Sequence, residues 1–311
     1  MREENNLRPF GRTTILKAYA RNSRISDYER MLRYALEKGY TLCGLEESIE
    51  LFANGHEKII VLRHDVDQPS PGTRAMVEIE QRLGVKSTFY FRWRTVEASL
   101  IKDIVSAGGE ASFHYETVSD LAAERGWQSR EDLLKADGMK LARDRLLRDL
   151  RSFRAEFGVP CRTLAGHGHA LNRICQTLNS ETLWHGGFDR DRANFLTEAY
   201  DPDYLRELDA YVSDTVLEIN GGFRYRDTLP DVIAIGSSRI LFLTHPNHWC
   251  FSPIVRLRRL VKVIVWGSTF VGDVFSYRDW LRGGPRAGTD FARTDFWPPR
   301  GPAELNNAEL T

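Results

Sequence analysis

The segment KIIVLRHDVD, Lys58 to Asp67, is apolar through Leu62 and then abruptly charged. A short β-branched apolar run of this kind suits a parallel strand covered on both faces and ending at a polar rim. In an extended chain, residues two apart point the same way. Asp65 and Asp67 then face one cavity, one to grip a divalent cation and the other to act as a base on water beside it. The same letters also suit an Asp-rich turn that caps the following helix.

Outward from this strand the pattern alternates. Before it, an amphipathic helix is expected over Asp27 to Lys38, stopped by Gly39, and a shorter one over Leu45 to Phe52. After it come a helix over Gly72 to Leu83, a strand over Lys86 to Phe91, a helix over Val96 to Ala107 and a strand over Glu110 to His114. One long helix is expected over Arg130 to Phe157, with Met139, Ala142, Leu146, Leu150, Phe153 and Phe157 on one stripe. Further strands are expected at Arg162 to Ala165, Trp184 to Phe188, Tyr211 to Asp214 and Ile240 to Thr244. Such alternation predicts a parallel α/β sheet, open or closed into a barrel. No internal repeat is present.

Chemistry in parallel α/β folds sits at the carboxyl ends of strands. Those ends carry Arg63, His64, Asp65 and Asp67, then His114 and Glu116, His167 and His169, Ser213 and Asp214, and His245 and His248. Of eight histidines, only His56 and His185 fall elsewhere. Five strand ends supplying His or Asp point to a shared site.

Composition narrows the function classes. The 43 Lys and Arg balance 43 Asp and Glu, which excludes the basic excess of a general nucleic-acid binder. The four cysteines, Cys43, Cys161, Cys175 and Cys250, form no C-x-x-C pair and read as buried thiols of a reducing compartment. The polar N-terminus and the lack of an apolar run of about 18 residues lead to the expectation of a cytoplasmic protein. No phosphate-binding glycine motif is present.

In order, LRHDVD (62–67), GVKSTFYFR (84–92), GGEASFHYETVSDLA (108–122), YVSDT (211–215) and LFLTHPNHW (241–249) resemble the polysaccharide deacetylase family, also called the NodB-homology family or carbohydrate esterase family 4. The likeness is to the bacterial branch whose first motif reads H-D-V-D and extends over Tyr28 to Trp249. It implies an irregular (β/α)7 barrel of the NodB-homology type with an N-terminal helical extension. Residues 1–55 then form that extension, 56–282 the barrel, and 283–311 a poorly ordered tail. The implied activity is metal-dependent hydrolysis of an N-acyl, chiefly N-acetyl, group from an amino sugar or saccharide. The implied cofactor is a divalent metal, often zinc. Position by position, the resemblance makes Asp65 the catalytic base, Asp67 and His114 metal ligands, and His245 the acid that protonates the leaving amine.

Two departures stand out. Val118 occupies the place of the second metal histidine, and Gly109 stands where relatives commonly show histidine. His167 or His169 in AGHGHA is the expected substitute ligand, with Glu116 and Asp214 next, since a zinc site needs three protein ligands plus water. Arg63, Arg92, Glu116 and Asp214 are expected to contact substrate, the arginines through their planar forks. Ser213-Asp214 equally suits orientation of a catalytic histidine, and Trp93, Trp184 and Trp249 are candidate sugar-stacking faces. The missing histidine also motivates the alternative of a catalytically silent barrel that binds a saccharide or a biosynthetic partner. Within 254–266, Arg256, Arg258, Arg259 and Lys262 face away from an apolar side, a pattern shared by peripheral membrane helices and by outer barrel helices.

Overall fold

The computed structural model describes residues 23–184, 189–191, 193–214, 228–250 and 257. Its elements in chain order are α1 (Ile25–Glu37), β1 (Thr41–Cys43), α2 (Leu45–Ala53), β2 (Ile59–Val66), α3 (Pro71–Leu83), β3 (Thr88–Phe91), α4 (Ala98–Ser106) and β4 (Glu110–Tyr115). These are followed by α5 (Thr117–Arg125), α6 (Arg130–Lys135), α7 (Gly138–Phe157), β5 (Thr163–Gly166), α8 (Ala170–Ile174), α9 (Glu181–Trp184) and β6 (Thr197–Glu198). The last are α10 (Pro202–Arg206), β7 (Ala210–Ser213), α11 (Leu229–Ala234), β8 (Arg239–Thr244) and α12 (Pro246–Trp249).

All strand pairs of the sheet are parallel, in the order β6-β5-β4-β3-β2-β8-β7, with β1 beside the first half of β2. Laid around a cylinder, β2 to β8 follow one another in chain order, with the seam between β6 and β7. Curvature is visible in a single contact: the Arg63 guanidinium of β2 lies 4.0 Å from the ring centre of Tyr200, just after β6. Four strand spacings would separate them by roughly 19 Å in a flat sheet. The expected barrel of seven β/α units is therefore the architecture found.

Alternation along β2 divides the core. Ile59 and Val61 point inward with Tyr90, Ala165, Tyr211, Leu241 and Leu243. Ile60, Leu62 and Val66 point outward beneath the helices, with Phe89, Phe113, Val212 and Phe242. Every residue of β2 is buried, as a strand covered on both faces requires.

Some expectations are corrected. The long helix is two, α6 and α7, because Asp137 takes a left-handed backbone (φ 50°) between them. Gly138 restarts the helix where a side chain would strike Leu133 and Trp127. The expected strand over Trp184 to Phe188 is not found: Trp184 ends the helix α9, and 185–188 lie outside the described residues. The sixth strand is the two-residue β6, whose ladder runs through Leu196 N to Arg162 O and Ala199 N to Leu164 O. The Glu198 carboxylate extends that edge by accepting from Gly166 N and Tyr200 N at 2.7 and 2.6 Å. Apart from the exposed Leu257, the basic amphipathic stretch at 254–266 lies outside the described residues, as does the tail at 283–311. Among the described residues, no helix is long and apolar enough to cross a membrane.

Candidate active site

The rim of β2 separates by face. Arg63 and Asp65 point into the barrel, where Arg63 Nε donates to Asp65 Oδ1 at 2.8 Å and Nη2 to Oδ2 at 2.7 Å. The guanidinium is wholly buried, between the Tyr200 and Tyr90 rings. Burial alone would raise the Asp65 pKa, but Arg63 and His114 outweigh it and hold the carboxyl below the usual range. Arg63 therefore clamps Asp65 and cannot offer its fork to a substrate.

His64, expected at the shared site, turns to the opposite face. Its Nδ1 lies 2.6 Å from Thr244 Oγ1 and its Nε2 2.8 Å from Glu80 Oε1, while Tyr28 Oη donates to the same oxygen at 2.5 Å. This buried network fastens α1 and α3 to β2 and β8. One residue of displacement on a strand exchanges faces, which is why His64 and Asp65 part company.

Three strand ends converge on Asp67. His114 Nε2 is 3.2 Å and His167 Nε2 3.5 Å from Asp67 Oδ1, and the two rings stand perpendicular at 5.1 Å. His114 Nδ1 lies 2.8 Å from Ala165 O; a carbonyl only accepts, so this nitrogen carries the proton and the Nε2 lone pair faces Asp67 in the neutral ring. His167 Nδ1 is 3.0 Å from Glu116 Oε1, off the hydrogen-bond line but in ion-pair range. Asp67 Oδ1 is buried and makes no hydrogen bond. Burial would raise the Asp67 pKa, yet His167, His114 and His245, when protonated, outweigh it and hold it low. A carboxylate oxygen lacking a donor, faced by two imidazole nitrogens with all ligand atoms within 4.8 Å of one another, fits a divalent cation of the zinc type.

His169 does not join this group. It is exposed, and its Nδ1 accepts from Leu171 N at 3.2 Å. Val118 explains the departure from the expected motif. It is fully buried with Leu121, Ala122, Trp127, Leu133, Ala142 and Cys175, a position hostile to an imidazole. His167 is brought in from β5, its backbone N bonded to Tyr115 O at 2.9 Å.

Opposite lies a second cluster. Asp214 Oδ1 is 2.6 Å from His245 Nδ1, and Asp214 Oδ2 accepts from His245 N at 2.7 Å and Trp249 Nε1 at 2.6 Å. Burial would lower the His245 pKa, but Asp214 outweighs it and raises it, while the histidines hold Asp214 low. His245 Nε2 looks toward Asp67 Oδ2 at 3.8 Å. Asp214 is wholly buried, so it orients His245 and does not meet substrate. His248 Nδ1 lies 3.0 Å from Asp214 O, and its ring lies 4.7 Å from that of His245. Trp249 is equally enclosed, against Tyr28 and Phe242, and presents no face to a sugar; Trp93 is 40% exposed at the rim.

Arg92 is the remaining correction. At 2% exposure it clasps both oxygens of Glu116, and its Nη1 donates to Asp67 O at 3.0 Å. Burial would raise the Glu116 pKa; His167 and Arg92 outweigh it and bring it down to about 2. Both residues are thus internal to the site and not exposed substrate contacts.

No family model matches the chain, and the curated proteins yield no match. Among solved structures, it is similar to a CE4 family pseudoenzyme from Bacillus anthracis, at 17% identity over 72% of this chain and 67% of that one, with TM-score 0.36. It is also similar to a family 4 carbohydrate esterase from Streptomyces lividans in complex with acetate, at 12% identity over 67% and 88% of the two chains, with TM-score 0.32. A third is the Xyl-CE4 domain of a multidomain xylanase from the hindgut metagenome of Trinervitermes trinervoides, at 16% identity over 70% and 85%, with TM-score 0.33. Likenesses this loose assign no activity.

Proposed function

We propose that this protein is a metal-dependent hydrolase of the polysaccharide-deacetylase kind, which removes an N-acyl group, acetyl above all, from an amino sugar or saccharide. The observation that carries the reading is Asp67 Oδ1: buried, without a hydrogen bond, and flanked by His114 and His167. Asp67, His114 and His167 hold the divalent ion, zinc by the character of the donors. When bound, the ion supplies Lewis acidity that activates water and polarises an acyl carbonyl. Asp65, kept ionised by Arg63, takes the proton of the attacking water. His245, whose pKa the Asp214 carboxylate raises, gives a proton to the departing amine nitrogen. An amide has a poor leaving group, so its hydrolysis needs an acid as well as a base. The ordered resemblance of five sequence segments to polysaccharide deacetylases supports the choice of substrate.

The test is release of acetate from N-acetylated glucosamine oligosaccharides by zinc-loaded protein, abolished by chelation and restored by zinc. Zinc-loaded protein that binds such saccharides and releases nothing contradicts the enzyme and fits the silent barrel that Val118 raised.

A further inference from the structure

His114 and His167 obtain their ligand geometry in different ways. For His114 a backbone carbonyl, Ala165 O, holds the Nδ1 proton. For His167 the group beside Nδ1 is the Glu116 carboxylate at 3.0 Å. A negative charge at that distance favours the proton on Nδ1 by electrostatics, leaving the Nε2 lone pair toward Asp67 and making that nitrogen a stronger donor to a metal. Glu116 is itself held fast: Arg92 engages both its oxygens, and the third arm of the same guanidinium bonds Asp67 O at 3.0 Å. One arginine on the rim of β3 thus ties the backbone of one ligand to the residue that aims another. A second guanidinium, that of the exposed Arg94, stands 3.8 Å from Glu116.

We propose that Glu116, clamped by Arg92, is the positioning residue that makes His167 the third metal ligand and so compensates for the absence of histidine at 118. Glu116 is not the ligand itself. Its oxygens are taken by Arg92, and it lies at the Nδ1 side of His167, away from Asp67. The inference rests on the proposed metal centre of Asp67, His114 and His167.

Calorimetric titration of zinc into chelator-treated full-length protein tests it, with thermal unfolding of each metal-free variant as a check on folding. Glu116→Gln is expected to bind zinc about 10–100-fold more weakly than wild type. Arg92→Lys, which keeps the charge and loses the fork, is expected to weaken binding in the same direction. On a His167→Ala background, Glu116→Gln is expected to cause no further loss, which a merely structural role would not produce. Equal zinc affinity in wild type and Glu116→Gln, or an undiminished loss on the His167→Ala background, overturns the inference alone. Wild-type protein that takes up no zinc overturns the metal centre and the inference with it.

Discussion

Arg63 and Asp65, two residues apart on one strand, form a bidentate ion pair on the inner face of the barrel, with side chains 0% and 2% exposed. A buried charge is tolerable only with its partner. Asp65→Ala leaves the guanidinium uncompensated and is expected to cost about 3–5 kcal/mol in urea unfolding. Asp65→Asn keeps the shape and one acceptor; it should lose hydrolytic activity while still binding zinc.

The Asp214–His245 pair carries a pH signature. The His245 pKa is raised in the folded protein, so its share of the stability is complete below the unfolded value near 6.5 and is lost as pH rises through the folded value. Asp214 is lowered, so its share is present above the unfolded value near 3.8 and is lost as pH falls through the folded value. If His245 is the acid, it works while protonated, and its raised pKa should extend activity toward alkaline pH. Asp214→Asn is expected to move the alkaline limb of the rate profile to lower pH, with a matching fall in the His245 pKa by NMR titration. An unmoved limb contradicts the assignment of His245 as the acid.

His167 and His169 are two residues apart and are expected to behave oppositely. His167→Ala should weaken zinc binding to a low but measurable affinity, and His169→Ala should leave stoichiometry and affinity unchanged. Zinc at 100 times its dissociation constant should stabilise wild type by about 2.7 kcal/mol and the His167 variant by far less.

Placing histidine at 118 is expected to harm the protein. The side chain enters the apolar cluster around Trp127 and Leu133, where an imidazole without a partner costs about 1–3 kcal/mol. Val118→His should lower the unfolding temperature and add no zinc affinity; a gain in affinity would show that helix α5 turns toward the metal ligands.

Behind Asp65, His64→Ala should weaken the fold without altering zinc binding. Glu80 would keep Tyr28 and Ser87, while Thr244 Oγ1 would lose its hydrogen bond to the buried imidazole, a loss of about 1 kcal/mol besides the space the ring leaves. Denaturation should register this change while zinc binding stays that of wild type.

Much of this layout is legible in the sequence because a strand has a strict two-residue period. That period puts Asp65 with Arg63 on the inner face, and the strand ends locate His114 and His245. The period also implies the outward turn of His64, which grouping histidines by strand end obscures. After β5 the regular period stops, so tertiary hydrogen bonds, His167 N to Tyr115 O and Asn179 Nδ2 to His167 O among them, separate His167 from His169. Arg63 and Arg92 carry the fork that suits a substrate carboxylate, and the same fork suits Asp65 and Glu116; partners brought together by the folded barrel decide between them. The two-residue β6 has no apolar run to announce it, and the break at Asp137 interrupts an otherwise unbroken helical stripe.

An anomalous difference map recorded at the zinc edge, from crystals grown with zinc, tests the central claim most directly. One peak is predicted, about 2.0–2.2 Å from Asp67 Oδ1, His114 Nε2 and His167 Nε2. A zinc peak ligated by His169 or Glu116 in place of His167, or no peak among these three residues, would contradict it.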